Sequence, residues 1–102
     1  MSEHILKLSK PIKAHNEELS ELQLREPIIE EVMEIGYPYL ILMKDGQEAG
    51  IEIRPGVIVR YVSKLASIPM GSAKQMSLSD LTKAQAIVMG FFGEEIVGQS
   101  SS

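Results

Sequence analysis

The two histidines of this sequence are the first candidates for a chemical role, because imidazole groups can bind a metal ion. His4 and His15 are its only histidines, and the chain of 102 residues has no cysteine. His4 falls at the start of a predicted strand and His15 in the turn that follows, so the two imidazoles could face each other across a hairpin and bind a metal ion. Because no further ligands occur at matching spacing, the pattern favours solvated surface histidines over a metal site.

A run of carboxylates is the second candidate, and Glu30, Glu31 and Glu34 fall on a short predicted helix. Acid–base catalysis needs such groups held in a shielded place, whereas this spacing is typical of a solvated helix face. The sequence has no nucleophile elbow, no Walker loop and no dinucleotide-binding glycine pattern, and "MGSAK" is typical of a turn. We therefore expect no enzyme activity, no cofactor and no catalytic residue.

Charge and hydropathy narrow the class of protein. Ten Lys and Arg against fourteen Asp and Glu give a net charge of −4, so no uniform positive field attracts nucleic acid. The longest apolar run, "YPYLILM", is far shorter than the ~20 residues that span a bilayer, and the N-terminus lacks the apolar segment of a signal peptide. The lack of cysteine suits a reducing compartment. These features predict one small domain in the cytoplasm, with no nucleic-acid or membrane partner.

The elements that must position these residues begin with β structure. Residues 4–25 are predicted to form an antiparallel hairpin, because Leu22 and Leu24 alternate with polar neighbours. Pro27 fits the first turn of a short amphipathic helix over 27–35, where its missing N–H would be unpaired in any case. The apolar stripe of that helix consists of Ile28, Ile29, Val32 and Met33.

The middle of the chain, residues 37–54, allows two interpretations. Asp45 and Gly46 between apolar runs are typical of a type I′ turn in a second hairpin. Pro38 and Gly50 are also compatible with an irregular loop. Both alternatives stay open from the sequence.

The first predicted helix of the C-terminal half covers residues 55–68. Apolar residues recur there at helical spacing, with polar residues on the other side. After it, a short helical turn is predicted to hold Met76. The stripe of the 55–68 helix consists of Val57, Ile58, Tyr61, Val62 and Leu65.

A last helix is predicted over 78–92, and Ser77 or Ser79 caps it with a side-chain oxygen. The tail over 98–102 is too small and polar to bury, so we expect it to be mobile. The whole pattern predicts an α+β fold with an N-terminal antiparallel hairpin, a second hairpin or loop in the middle, and two to three C-terminal amphipathic helices. The stripe of the last helix consists of Leu78, Leu81, Ala84, Ile87, Val88 and Phe91.

Methionine and phenylalanine supply candidate contacts for a protein partner. Six methionines are many for this length, and their flexible side chains adapt to varied apolar surfaces. Phe91 and Phe92 are helix neighbours about 100° apart, so we expect one in the core and the other available to a partner. The candidate partner-binding residues are Tyr61, Leu65, Met76, Met89 and Phe92.

Five short stretches, in this order, carry a resemblance to a known family. They are "LSKPI", "LQLREP", "LASIP", "SLSD" and the terminal "FF". Together they resemble the small tail assembly chaperones of Mu-like prophages and contractile-tailed phages, over nearly the whole chain. The middle, "YPYLILMKDGQEAGIEI", departs from the family by being more apolar than its polar, variable connection.

The resemblance implies a role in building the phage tail. Such proteins are thought to bind the long tape measure protein, keep it soluble and leave before the virion is complete. In related phages a programmed frameshift near the end of the gene makes a longer form that recruits the tail tube protein. Gly90, Phe91 and Phe92 can be encoded as GGT TTT TTT, a slippery run, although two ordinary core phenylalanines would look the same in the protein.

Other classes of protein remain as alternatives. A minor tail or baseplate component would share the small acidic character but stay in the virion. A DNA-linked regulator would need a basic patch, for which Lys7, Lys10 and Lys13 are candidates, although a solvated strand edge also explains them. Exposed strand edges and apolar helix faces also make a homo-oligomer an expectation.

Overall fold

The computed structural model describes the backbone of residues 4–101 and the side chains of residues 4–93. Hairpins and helices alternate along the described chain, which confirms the α+β fold class and the second hairpin. The predicted mobile tail, 98–102, lies outside the residues whose side chains are described. The elements are β1 (His4–Ala14), β2 (Glu17–Leu24), α1 (Ile29–Ile35), β3 (Tyr39–Lys44), β4 (Gln47–Ile53), α2 (Pro55–Ala66), α3 (Met70–Ala73) and α4 (Leu78–Ser101).

Both hairpins close on two-residue turns whose central residues have positive φ. The φ angles are 54° and 63° at His15 and Asn16, and 54° and 77° at Asp45 and Gly46. Two successive positive φ values define a type I′ turn, whose twist matches that of the flanking strands. The Asp45-Gly46 turn closes a second hairpin, which decides between the two interpretations that the sequence left open.

The core lies between the β1–β2 hairpin, α2 and α4. The predicted stripe of α2 is confirmed, because Ile58, Tyr61, Val62 and Leu65 are buried. On α4 the buried row differs from the predicted stripe: Leu78 is 79% exposed, and Phe92 rather than Phe91 is buried. The row repeats every four residues and consists of Asp80, Ala84, Val88 and Phe92.

Helix α1 turns a different face to the core than its apolar pattern predicts. Val32 and Ile35 pack against the core, whereas Ile29 and Met33 are 77% and 80% exposed and Ile28 is also exposed. Glu31, which the pattern places on a solvated face, is instead buried.

An ion pair explains this rotation of α1. Arg25 donates from Nη1 and Nη2 to the two carboxylate oxygens of Glu31, at 3.0 and 2.6 Å, and the backbone N–H of Ile28 donates to Oε1 of Glu31 at 3.1 Å. These hydrogen bonds lower the pKa of Glu31 against the opposing effect of burial. A bidentate pair of this kind has a fixed geometry, so it decides which side of this short helix faces inward.

A wide bulge interrupts β1. Lys7 pairs with Glu21 and Ile12 pairs with Leu19, so residues 8–11 stand opposite Ser20 alone. The bulge leaves backbone N–H groups without a strand partner, and each needs an acceptor if it is buried.

Asp80 of α4 accepts the hydrogen bonds that the bulge leaves free. The backbone N–H of Ser9 lies 2.9 Å from both Oδ1 and Oδ2 of Asp80, and that of Lys10 lies 3.2 Å from Oδ2. The Ser9 hydroxyl donates to Oδ1 at 3.0 Å. Ser77 caps α4, because its Oγ accepts from the Asp80 backbone N–H at 3.2 Å. The carboxylate is fully buried and joins the start of α4 to β1.

The pKa of Asp80 reflects these contacts. Burial on its own would raise it, but the hydrogen bonds from Ser9, Lys10 and Ser77 outweigh burial and lower the pKa to about 2. Asp80 is therefore charged in the folded protein at neutral pH, and the charged carboxylate has a structural role.

Two further side chains bind the outer edge of β1. The Gln75 amide accepts from the Lys13 N–H at 2.9 Å and donates to the Lys13 carbonyl at 3.3 Å. Lys83 Nζ donates to the Lys7 carbonyl at 3.1 Å. The segment from Gln75 to Lys83 therefore covers an edge that would otherwise be open to pairing.

The prediction of a helical turn holding Met76 is wrong. Met76 lies in the connection after α3, and the short helix comes earlier, at Met70–Ala73.

We predict that Asp80→Ala lowers the free energy of unfolding by roughly 3 kcal/mol at pH 7, because it removes a fully buried acceptor and leaves the partly buried N–H groups of Ser9 and Lys10 without a partner. Urea denaturation measures the difference. Glu17→Gln is the control, since Glu17 is exposed and stands opposite Ala14, an uncharged residue. An Asp80→Ala protein as stable as Glu17→Gln would contradict the role of the carboxylate.

The unfolding free energies of the wild type and of Asp80→Ala should also depend differently on pH. The pKa of Asp80 is about 2 in the folded protein and ~3.9 in an unfolded chain. The Asp80 carboxylate therefore makes its full contribution to the unfolding free energy above about pH 4. This contribution is lost as the pH falls from about 4 to about 2. The unfolding free energy of the wild type should therefore fall more steeply over this range than that of Asp80→Ala.

Candidate partner-binding site

The two histidines do not face each other. His4 pairs with Leu24 at the open end of the first hairpin, and its ring packs edge-on against Phe91 at 5.2 Å. His15 lies in the turn at the other end, with Nε2 3.1 Å from the Ser67 carbonyl oxygen. Among the described residues there is no group of three or more side chains suited to hold a metal ion.

The buried titratable groups have structural partners. Asp80 and Glu31 are held as described above, and the Tyr61 hydroxyl donates to the Gly36 carbonyl at 2.6 Å. Burial, followed by the nearby Glu31 and Tyr37, raises the pKa of Tyr61 to about 12, so its proton stays in place at neutral pH. Within the part of the chain that the structure describes, no buried side-chain polar atom lacks a hydrogen-bond partner. These groups hold the fold together.

The predicted basic patch on β1 is interrupted by carboxylates. Lys7 stands opposite Glu21 and Lys13 opposite Glu18 on β2. Opposite charges at such positions attract each other, which reduces the local positive potential.

The described helices include none long and apolar enough to cross a membrane.

Phe92 lies at the centre of an aromatic cluster that includes all three tyrosines of the chain. Its ring centroid is 5.6 Å from that of Tyr37, 6.4 Å from that of Tyr39 and 5.7 Å from that of Tyr61, each in an edge-on arrangement. Such pairs stabilise a core beyond the effect of burial. The cluster joins the C-terminal helix to α2 and to the base of the second hairpin.

The structure places the five predicted partner-binding residues in different environments. Tyr61 and Leu65 are buried in the core, so α2 does not present them to a partner in this conformation. Met76 and Met89 are partly exposed, and Met76 packs against the core. Phe92 is 7% exposed. Their role in binding stays a prediction.

Phe92 and Phe91 also line an apolar cleft between α1 and α4. The cleft has a volume of about 320 Å³. Ile29 and Met33 stand at this cleft as two of the most exposed large apolar side chains of the described chain. A concave apolar site with exposed apolar residues beside it is typical of a surface that receives a partner side chain. The other lining residues are Glu26, Pro27, Val32 and Tyr37.

This surface was not among the residues that the sequence pattern singled out. The pattern assigned Ile29 and Met33 to a buried stripe. The signal that could have revealed the surface is the spacing of Arg25 and Glu31, with Glu31 three residues after Ile28, where a glutamate can accept from the backbone at a helix start. A buried Glu31 requires the opposite side of α1 to face solvent.

The comparison with protein families gives the chain its class. The family model described as "Phage tail assembly chaperone proteins, E, or 41 or 14" matches residues 6–93. The chain belongs to this family of phage tail assembly chaperones, as the resemblance indicated. Neither a curated protein nor a solved structure matches it.

The burial of Phe92 changes what its replacement should do. The sequence pattern predicts that Phe92→Ala weakens partner binding and leaves the unfolding midpoint unchanged. A ring 7% exposed among three tyrosines predicts a loss of roughly 3 to 5 kcal/mol in unfolding free energy. Met89→Ala is the comparison on the same helix, since Met89 is partly exposed and should cost less. Thermal and urea denaturation measure both, and equal stabilities would show that Phe92 is not a core residue.

Proposed function

We propose that this chain binds the tape measure protein during tail assembly, keeps it soluble, and acts in the cytoplasm of the host cell without enzymatic activity. Membership of the tail assembly chaperone family supports the general role. The observation that carries the specific proposal is the exposed apolar face of α1 beside the cleft, where Ile29 and Met33 are 77% and 80% exposed.

The composition of this surface suits reversible binding of a chain that is not yet assembled. Methionine and isoleucine side chains make many weak apolar contacts, and flexible methionine adapts to different shapes. Because affinity within one interface is set mainly by the rate of dissociation, shallow contacts allow the partner to be released. Of the earlier candidates, Phe92 lines the cleft, Met89 lies one turn before it on α4, and Tyr61 packs against the Phe92 ring. Leu65 lies in the core, and Met76 lies before the start of α4, apart from this surface.

Charge suggests the chemistry of the segment that is bound. The exposed Glu30 and Glu34 follow Ile29 and Met33 on α1, and Glu26 lies at the cleft. Glu34 has a neighbouring cation, since its Oε1 lies 3.8 Å from Lys64 Nζ. Carboxylates beside apolar residues favour a partner helix that carries basic residues next to its apolar stripe.

We expect the double variant Ile29→Ser, Met33→Ser to retain the tape measure protein about tenfold less well, because it removes two apolar contacts, each of which contributes less at a shallow surface than the roughly 1.5 to 3 kcal/mol of a fully buried side chain. The measurement is co-expression with the tape measure protein of the same genome, followed by pull-down and a solubility assay. The expected result is a long protein that is soluble with the wild type and precipitates with the variant.

Leu78→Ser is the matched control for this experiment. Leu78 is 79% exposed but lies at the start of α4, away from the lining of the cleft. It should bind as the wild type does. Equal loss of binding in both proteins would point to general surface hydrophobicity, and no loss in the double variant would overturn the assignment of the face. Failure of the wild type itself to bind would overturn the proposed function.

A minor tail or baseplate component of the virion is the alternative function. A virion component could have the same small size, acidic charge and α+β fold. In the virion, a neighbouring protein would permanently cover the exposed apolar surface. Mass spectrometry of purified particles separates the two, because a chaperone is absent from the finished virion and a component remains. The paired charges on β1 leave less support for a DNA-linked regulator.

We also propose that a longer frameshifted form recruits the tail tube protein. Its support is the family membership and the sequence Gly90-Phe91-Phe92, which can be encoded by a run of seven T's. The prediction is a continuous GGT TTT TTT in the gene and a second, longer product on expression. Interrupted codons such as TTC TTC would remove the basis for slippage.

A further inference from the structure

The second hairpin, β3–β4, has little of the described chain packed on it. Only its base, Tyr39 and Ile53, packs against the core. Beyond the base its large apolar side chains are between 42% and 62% exposed. A two-stranded hairpin in water is marginally stable by itself, and further strands or a packed face stabilise it. The exposed residues are Leu40, Ile41, Leu42, Met43 and Ile51.

The alternation of side chains gives the inner part of the hairpin an apolar face. Tyr39 pairs with Ile53 and Ile41 pairs with Ile51, so these four side chains share a side of the sheet. Nearer the turn, Met43 pairs with Glu48, and the apolar face ends there. On the other side Leu40 pairs with Glu52, and that side is mixed.

The two outer edges of this hairpin differ in charge. β4 carries Glu48 and Glu52, and charged side chains on an edge strand discourage pairing with another chain. β3 has a single charged residue, Lys44, at its last position beside the turn. Beyond Tyr39, whose ring meets that of Phe92 on α4, the described helices and strands other than β4 do not lie against β3. The first hairpin contrasts with this, because side chains from Gln75 to Lys83 bind the outer edge of β1.

Symmetry then selects the partner for this edge. If two copies pair antiparallel about a two-fold axis at Ile41, Tyr39 stands opposite Met43 and Leu40 opposite Leu42, while Lys44 falls beyond the paired residues. An axis at Gly50 of β4 sets Glu48 opposite Glu52 twice, and like charges at opposite positions repel. An axis at Ile51 avoids this repulsion but sets Glu52 opposite Gly50, which has no side chain to pack. The β3 edge, apolar from Tyr39 to Met43, is therefore the more self-complementary of the two.

We propose that the outer edge of β3 is a self-association site, where a second copy of this chain adds its own β3 antiparallel to make a four-stranded sheet ordered β4–β3–β3–β4. The second copy supplies backbone hydrogen-bond partners to the middle of the strand, around Ile41. It also joins two apolar faces, each made by Tyr39, Ile41, Ile51 and Ile53, into one surface. This site is separate from the α1 surface proposed to bind the tape measure protein.

The test compares Ile41→Lys with Ile51→Lys. The two isoleucines are cross-strand partners on the same face, with exposures of 44% and 42%, but only Ile41 lies on the β3 edge. Sedimentation equilibrium over a range of concentrations should show a wild-type dimer. Ile41→Lys should raise the dimer dissociation constant roughly tenfold or more, because two lysines then face each other, and Ile51→Lys should change it less.

A mixing experiment separates loss of the interface from loss of the hairpin. Ile41→Lys and Ile41→Glu should each be monomeric alone and associate when mixed, because opposite charges then face each other across the axis. Circular dichroism and thermal denaturation check that each variant is folded. A wild type that stays monomeric at every concentration overturns the proposal, as do equal effects of the two lysine variants or a mixture that does not associate. Ile41→Lys should still bind the tape measure protein, so failure here leaves the proposed function standing.

Discussion

The structure depends most on the contact between the Asp80 carboxylate and the bulge of β1. A buried carboxylate is costly unless its oxygens are satisfied, and here the N–H groups of Ser9 and Lys10 and the Ser9 hydroxyl satisfy them. Moving α4 by one turn would take the carboxylate away from the bulge and leave the N–H groups of Ser9 and Lys10 without this acceptor. The contact therefore sets the register of α4 on the first hairpin. Four-residue steps from Asp80 then carry Ala84, Val88 and Phe92 across the core.

The stretches that carry the family resemblance meet at internal contacts of this kind. "LSKPI" forms the bulge and "SLSD" caps α4 and reaches back to it. "LQLREP" supplies two core leucines and Arg25, and "FF" supplies the ring at the centre of the tyrosines. "LASIP" ends α2, with Ser67 in the left-handed conformation and Ile68 in the core. Apart from Leu78, none of the most exposed apolar residues belongs to these stretches, so they describe how the chain folds and not what it binds.

The exposed apolar residues form two separate surfaces with different physical origins. The α1 surface exists because the Arg25–Glu31 ion pair turns a polar side of the helix inward and leaves Ile29 and Met33 outside. The hairpin surface exists because β3 and β4 extend past the core, and beyond their base none of the described helices covers them. The first has an adjacent cleft and carboxylates, which suit a side chain of a different protein. The second has an open, nearly uncharged strand edge, which suits another strand.

The sequence by itself determined the first hairpin and α2, because periodicity acts over a few residues, and the α2 stripe is buried as its spacing predicts. It allowed the second hairpin without choosing it over a loop, and it placed the short helix at Met76 instead of Met70–Ala73. It also determined the family, through five stretches in order. The tertiary structure alone decided which face of α1 is buried, which phenylalanine lies in the core, and what Asp80 contacts 71 residues away. The last two outcomes depend on partners distant in the chain. The face of α1 depends on a pair only six residues apart, Arg25 and Glu31. The candidate surface was missed because apolar periodicity assigned Ile29 and Met33 to the core, although the spacing of that pair favoured the opposite orientation.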